Sequence, residues 1–317
     1  MKNFNAGECW LFNEGLAAVN IKNKWGYINR EGRVVIEPQY TYAFGFTEGL
    51  AAVEVNGKYG FINKDGRLVI PPKYYWANSF TEGLATVEAD DNFQIIDRNG
   101  TMVATLDKTF TDVQVFSCGL AAVEVNLKKY GFIDTTGKMV IEPQFGFVTP
   151  FSDGLAIATI ATDDEDEDED DKKEKEEPKF GIIDTKGRFV MAPQFDEVES
   201  YSEGVMPVKK DGRWRFVDNT GADVVLLRED FEYVYPLIEG RANVLIGGKF
   251  GAIDKAGNLI IDAHFDNLCA FSDGLAYARI GNTHGFINTS GSFEFQKLVP
   301  KPSLMDILKG RKGHIRW

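Results

Sequence analysis

The sequence predicts an all-β repeat protein, and three observations carry that prediction. First, an aromatic residue or leucine is followed three places on by glycine, usually with an acid between, in eight copies. These are Phe12–Gly15, Phe46–Gly49, Phe80–Gly83, Phe116–Gly119, Phe151–Gly154, Tyr201–Gly204, Leu237–Gly240 and Phe271–Gly274. Second, two more anchors follow each copy in register. One is Trp25-Gly26, Tyr59-Gly60, Tyr130-Gly131, Phe180-Gly181, Phe250-Gly251 or His284-Gly285; the other is Asn or Asp with glycine three residues later, from Asn29/Gly32 to Asn288/Gly291. Third, the residues between anchors are short apolar runs rich in β-branched and aromatic side chains, bounded by Gly, Asn and Asp, which read as strands. The anchor glycines lie 34, 34, 36, 35, 50, 36 and 34 residues apart. Self-similarity at such a period means a repeat architecture.

Each element of one unit follows from its residues. Gly49 to Val55 is a strand, apolar at nearly every position with Glu54 the exception. Asn56-Gly57 then closes a tight hairpin, because both central residues of the favoured two-residue turn need positive φ. Tyr59 to Ile62 is the second strand. Asn63-Lys64-Asp65-Gly66 suits a type I turn followed by glycine in the left-handed region. Leu68 to Ile70 is the third strand, and Pro71-Pro72 ends it, since proline cannot donate to a ladder. The segment 73–79 is read as a short outer fourth strand. Near-continuous apolar runs, rather than clean alternation, mean that both faces of each small sheet are covered. A unit of this length buries too little apolar surface to stand alone, so like units must cover it. Ala51, Ala52 and Gly60 are the small residues that would let adjacent sheets approach.

The pattern Phe-Ser/Thr-Glu-Gly-Leu-Ala, then Gly-Lys-Trp/Tyr-Gly-Phe/Tyr-Ile-Asn/Asp, then Val-Ile-x-Pro-x-Tyr/Phe, resembles the bacterial WG repeat family over about residues 10–297. The resemblance implies an all-β repeat protein, of a family mostly without assigned role; the varied connectors on a repeated frame point to a non-enzymatic binding scaffold. A literal Trp-Gly stands only at Trp25-Gly26. The third and sixth copies lose the glycine, at Gln94 and Arg215.

Two architectures cover both faces of every sheet: a closed β-propeller of eight three-to-four-stranded antiparallel meanders, or an open β-hairpin solenoid. The propeller is preferred, because eight blades lie within the known range and no polar cap precedes Phe12. The chain starts partway through a unit, which the C-terminal residues are expected to complete. The whole of 1–300 is therefore one domain. Residues 301–317 read as a short helix capped by Ser303 and a basic tail.

Fifteen consecutive charged residues, 163–177, sit where other copies place the first hairpin turn. They hold twelve acids and three lysines, a net charge of −9 against −13 for the whole chain. Such a block cannot bury enough surface to order itself, so 162–178 reads as a hairpin tip grown into an acidic disordered loop. Three dispersed cysteines, Cys9, Cys118 and Cys269, fit a reducing compartment and no metal site. No signal peptide or membrane-length apolar run is seen. A cytoplasmic protein is expected, with neither membrane nor nucleic acid as partner; the oligomeric state is left open.

The chemistry is sparse. His264, His284 and His314 have no metal-ligand spacing, and His284 fills an aromatic packing slot. Asp97, Asp134, Asp184, Asp218 and Asp254 resemble a ring of carboxylates, but turn formation explains them. No enzyme, cofactor or metal is expected. The connectors carry aromatics with no core role: Tyr42, Phe44, Tyr75, Trp76, Tyr233 and Tyr235 are the candidate partner-binding residues, with Tyr75 and Trp76 foremost. The function read from the sequence is protein–protein binding, with a basic partner if the acidic stretch takes part. The alternative is a small molecule or glycan held in a propeller channel or aromatic groove.

Overall fold

A computed structural model describes residues 6–9, 11–125, 129–161 and 178–298. Eight consecutive antiparallel units follow one another. The first is β1 (Ala6–Cys9), β2 (Leu16–Ile21), β3 (Lys24–Asn29) and β4 (Val34–Tyr40). The second is β5 (Tyr42–Ala43), β6 (Leu50–Val55), β7 (Lys58–Asn63) and β8 (Leu68–Tyr74). The third is β9 (Trp76–Ala77), β10 (Leu84–Ala89), β11 (Asn92–Asp97) and β12 (Met102–Thr105). The fourth is β13 (Phe110–Ser117), β14 (Leu120–Val125), β15 (Lys129–Asp134) and β16 (Met139–Val148). β16 runs on into the fifth unit, joining β17 (Leu155–Ile160), β18 (Phe180–Asp184) and β19 (Phe189–Phe195) in one seven-stranded sheet. The sixth is β20 (Glu197–Val198), β21 (Met206–Lys210), β22 (Arg213–Val217) and β23 (Asp223–Leu226). The seventh is β24 (Tyr233–Ile238), β25 (Arg241–Ile246), β26 (Lys249–Asp254) and β27 (Leu259–Phe265). The eighth is β28 (Asn267–Leu268), β29 (Leu275–Ile280), β30 (Thr283–Asn288) and β31 (Phe293–Leu298).

The turns take the forms their residues dictate. Asn56 and Gly57 have φ of 51° and 76°, the two left-handed residues of a tight hairpin. Gly66, at φ 77°, donates its N–H to the Asn63 carbonyl at 2.9 Å. The fourth strand differs from expectation. Within 73–79, Trp76–Ala77 does form a short strand, but it pairs with β10 of the next sheet rather than with β8 of its own. Pro71-Pro72 does not end the strand as expected: β8 runs through both prolines, which fall in a bulge of the ladder, to pair Tyr74 with Tyr59, and the chain then crosses to the opposite edge of the following sheet.

The core is shared between sheets. Among the described residues there are eight hydrophobic clusters, and each straddles two neighbouring units. The anchor aromatic of one unit packs on the third strand of the one before: Phe46 on Tyr27, Phe80 on Phe61, Phe151 on Phe132, with ring centroids 4.7–4.8 Å apart. The same contact joins first and last, Phe12 on Phe286 at 4.8 Å. That pair lies in a cluster with Ala17, Val19 and Ile28 of the first unit. The ring is closed, which rules out the open solenoid. The expectation that C-terminal residues complete the first sheet is corrected. Its missing edge is β1, from the chain's own beginning, and β31 belongs to the eighth sheet. Among the described residues closure is by faces packing, with no strand shared across the seam.

The small residues also divide differently from expectation. Ala51 and Ala52 are buried between sheets, as expected. Gly60 instead makes room within its own sheet: a Cβ there would lie 2.6 Å from both the Ile70 carbonyl oxygen and the Pro72 nitrogen. β8 bulges over that point, Tyr59 pairing with Tyr74 but Phe61 with Ile70. Gly26, Gly131, Gly181 and Gly251 are overlain in the same way. In the third and sixth units, where Gln94 and Arg215 replace the glycine, the ladder is straight there. Gln94 pairs with Thr105 and Arg215 with Leu226, and β12 and β23 are only four residues long.

Candidate functional site

Antiparallel alternation gives the ring two faces. The turns after first and third strands open on one. The turns after second strands, and the crossings between units, open on the other.

The first face carries the acids of the anchor motif. Glu14, Glu48, Glu82, Asp153, Glu203, Glu239 and Asp273, with Cys118 in the remaining copy, all stand at φ of 50–55°, each followed by a left-handed glycine. This makes the anchor a two-residue hairpin turn. It also aims the acid at the next unit, where six carboxylates accept the N–H of the neighbouring anchor glycine. The pairs are Glu14 with Gly49 (3.0 Å), Glu48 with Gly83 (3.0 Å), Glu82 with Gly119 (2.8 Å), Glu203 with Gly240 (3.1 Å), Glu239 with Gly274 (2.9 Å) and Asp273 with Gly15 (2.8 Å). Hydroxyls at the preceding position donate to the next anchor carbonyl: Ser117 to Phe151, Ser152 to Tyr201, Ser202 to Leu237 and Ser272 to Phe12. Together the two series cross all eight junctions, so these turns lie close enough to touch all the way around the axis. Lys64 adds an ion pair to Glu14 at 2.9 Å. Burial of Glu14 raises its carboxyl, but Lys64 and the Gly49 amide outweigh it and hold the group below the usual range.

The Asp series is accounted for by turns. Asp97 accepts the N–H groups of Asn99 and Thr101, and Asp134, Asp184, Asp218 and Asp254 repeat that pattern. Among the described residues no group of three or more His, Cys, Asp or Glu is arranged to hold a metal. His284 shares a hydrogen bond with Tyr277 at 2.9 Å, and His264 stacks beside Phe265. His314, the acidic stretch 163–177 and the tail 301–317 lie outside the described residues.

The six candidate aromatics fall into two sets on different parts of the ring. Tyr42, Phe44 and Trp76 form a chain of rings with Trp25 and Tyr59 at centroid distances of 5.2–6.2 Å. Tyr75 stands beside Trp76 with the Lys58 ammonium over its ring. Tyr42 and Phe44 are half-buried, whereas Tyr75 and Trp76 are 56% and 41% exposed. Both lie where the chain crosses from one unit to the next, on the second face. Tyr233 and Tyr235 form the other set, packed on Trp214 and Phe250. The Tyr233 hydroxyl donates to Glu199, whose carboxyl is raised by burial, an effect that the bond partly offsets.

Phe147, 44% exposed, and Ile160, 60% exposed, are apolar surface residues that the sequence does not single out. They stand at the base of the acidic insertion, Phe147 edge-on to Phe180 at 6.0 Å. The signal available was Phe147's equivalence in register to Tyr42 and Trp76. A cavity of about 600 Å³ opens where units seven and eight meet the first, lined by Leu11, Tyr235, Ile238, Arg241, Phe250 and Cys269 among others. Burial pushes the Cys269 thiol up.

A ring of eight radial units, closed by face packing around an axis lined with turns, is a β-propeller. The WG containing repeat matches residues 7–25, 25–59, 59–93, 95–128, 130–160, 180–214 and 250–283, together more than half of the chain. The chain belongs to the WG-containing repeat family. No curated protein matches its sequence. The computationally designed Ika8 protein is similar in structure, with a TM-score of 0.59 at 12% identity over 92% of this chain and 96% of that one. A eukaryotic initiation factor is similar at 0.60 and 12% identity, over 92% of this chain and 87% of that one. These likenesses speak to fold alone. The WD40 beta propeller domain of Doa1 aligns at 0.38 and 11% identity over 88% of this chain and 91% of its own, too loosely to bear weight.

Proposed function

We propose that the chain is a non-enzymatic scaffold that binds a protein partner across the face carrying the crossings and second-strand turns. Tyr75 and Trp76 support this most strongly. They are exposed side by side: Trp76 shares its register position with Tyr42, Phe147 and Tyr233, and Tyr75 adds a ring where other units place Thr41, Asp196, Glu232 and Asp266. Aromatic anchors of this kind dominate interface energetics. The acidic insertion starts and ends on the same face, between Ile160 and Phe180, so a basic partner would be drawn to that side. A cytoplasmic setting fits this proposal.

The test uses the full chain as bait. Tyr75→Ala with Trp76→Ala should abolish retention of the partner while the melting temperature stays within a few degrees. Deleting 163–177 should slow association at low salt and matter little at high salt, as expected of a steering charge. Unchanged recovery with the double alanine variant would refute the aromatic site.

A further inference from the structure

We infer that the cavity between units seven and eight is a binding site for a small organic monoanion, an apolar body carrying one carboxylate. The inference is independent of the protein-binding proposal, since it concerns a different part of the ring and a different class of ligand.

Three observations carry it. The first is the cavity, whose size is that of ligand sites and whose walls are mostly apolar: Leu11, Tyr235, Ile238 and Phe250. The second is a cation placed against the internal pattern of the chain. The residue after each anchor glycine is Leu16, Leu50, Leu84, Leu120, Leu155, Val205 and Leu275 in seven units, but Arg241 in the seventh. Two positions on, where Ala18, Ala52 and Ala122 stand elsewhere, the seventh unit has Asn243, 5% exposed, its amide donating to the Leu268 carbonyl at 2.9 Å. Only this unit puts a guanidinium and a carboxamide on a wall that is aliphatic in most others.

The third is that among the described residues no carboxylate pairs with the guanidinium. Arg241 donates to the Glu239 carbonyl at 2.8 Å and lies over the Phe271 ring at 5.1 Å, while its Nε is buried with no partner. The nearby Glu239 carboxylate is already bonded to the Gly274 amide. Asp266, on the cavity wall, is held by Lys249 and by the Gly281 amide. A half-buried cation without an anion is costly, and a carboxylate matches the guanidinium fork with two parallel hydrogen bonds. A single cation beside a wall already holding Asp266 suits a monoanion better than a doubly charged phosphate.

Titration calorimetry on the full chain tests this with naphthalene-2-acetate and octanoate as probes. Naphthalene-2-acetamide serves as the uncharged control and inorganic phosphate as the anion without an apolar body. Binding of at least one carboxylate, with the amide and phosphate at least tenfold weaker, is the expected result. Arg241→Leu restores the residue type of the other units and should fold normally, with a melting temperature equal to or above that of the parent. It should lose at least tenfold in carboxylate affinity. Arg241→Lys keeps the charge without the fork and should fall between. If neither carboxylate binds the parent chain, or if Arg241→Leu binds as the parent does, the assignment is wrong.

Discussion

At the scale of single residues, the turn aspartates govern how the ring responds to acid. Asp97 is held below the ordinary carboxylate range chiefly by the Thr101 amide, and Asp218 chiefly by the Thr220 hydroxyl. Asp134, Asp184 and Asp254 are lowered as well. A folded value below the unfolded one means that the stabilisation is complete above the ordinary range. It is lost as the pH falls through the lowered values. Asn29, Asn63 and Asn288 fill the same position and accept the same amide bonds without titrating. Replacing all five aspartates by asparagine should therefore leave the melting temperature at pH 7 nearly unchanged. Between pH 4 and 2 it should flatten the decline, as followed by circular dichroism; an unaltered acid limb would contradict this. These turns were legible in the sequence because an Asx turn is chemistry within five residues. The anchor acids were not: Glu48 reads as a turn residue, and nothing local says that its carboxylate serves an amide 35 residues away.

At the scale of elements, the aromatic-glycine pair and the proline bulge are one device. In the second unit β8 folds over Gly60 with its backbone in direct contact. Gly60→Ala is expected to cost about 1–3 kcal/mol by forcing that strand outward, measured by denaturant unfolding. Gln94→Ala, on a straight ladder, should cost much less. Equal losses at both positions would refute the explanation. The sequence showed the two glycine-free copies and their missing prolines, but not the reason. Which strand lies over which residue depends on register between strands, and no turn motif encodes a bulge two residues deep. For the same reason the strand at Trp76–Ala77 was placed in the wrong sheet: its partner, Val87, becomes visible only once the crossing is known.

At the scale of the whole molecule, the junction between last and first repeats the aromatic packing seen within the chain, Phe12 on Phe286 matching Phe80 on Phe61. Phe12→Ala and Phe80→Ala should then cost similar amounts, about 3–5 kcal/mol each, because both rings are fully buried against the preceding sheet. A nearly neutral Phe12→Ala would mean that the seam is open. The exposed Tyr75, beside Trp76, was legible because it broke the internal pattern. The Arg241 cavity broke the pattern too, but it took packing to show that the odd residue faced empty space. The uniform seam has one more consequence. Eight joints in space are served by seven in the covalent chain, so the finished object keeps no memory of where its thread was cut. A gene rotated by one or several repeats, its old ends bridged, describes the same wheel.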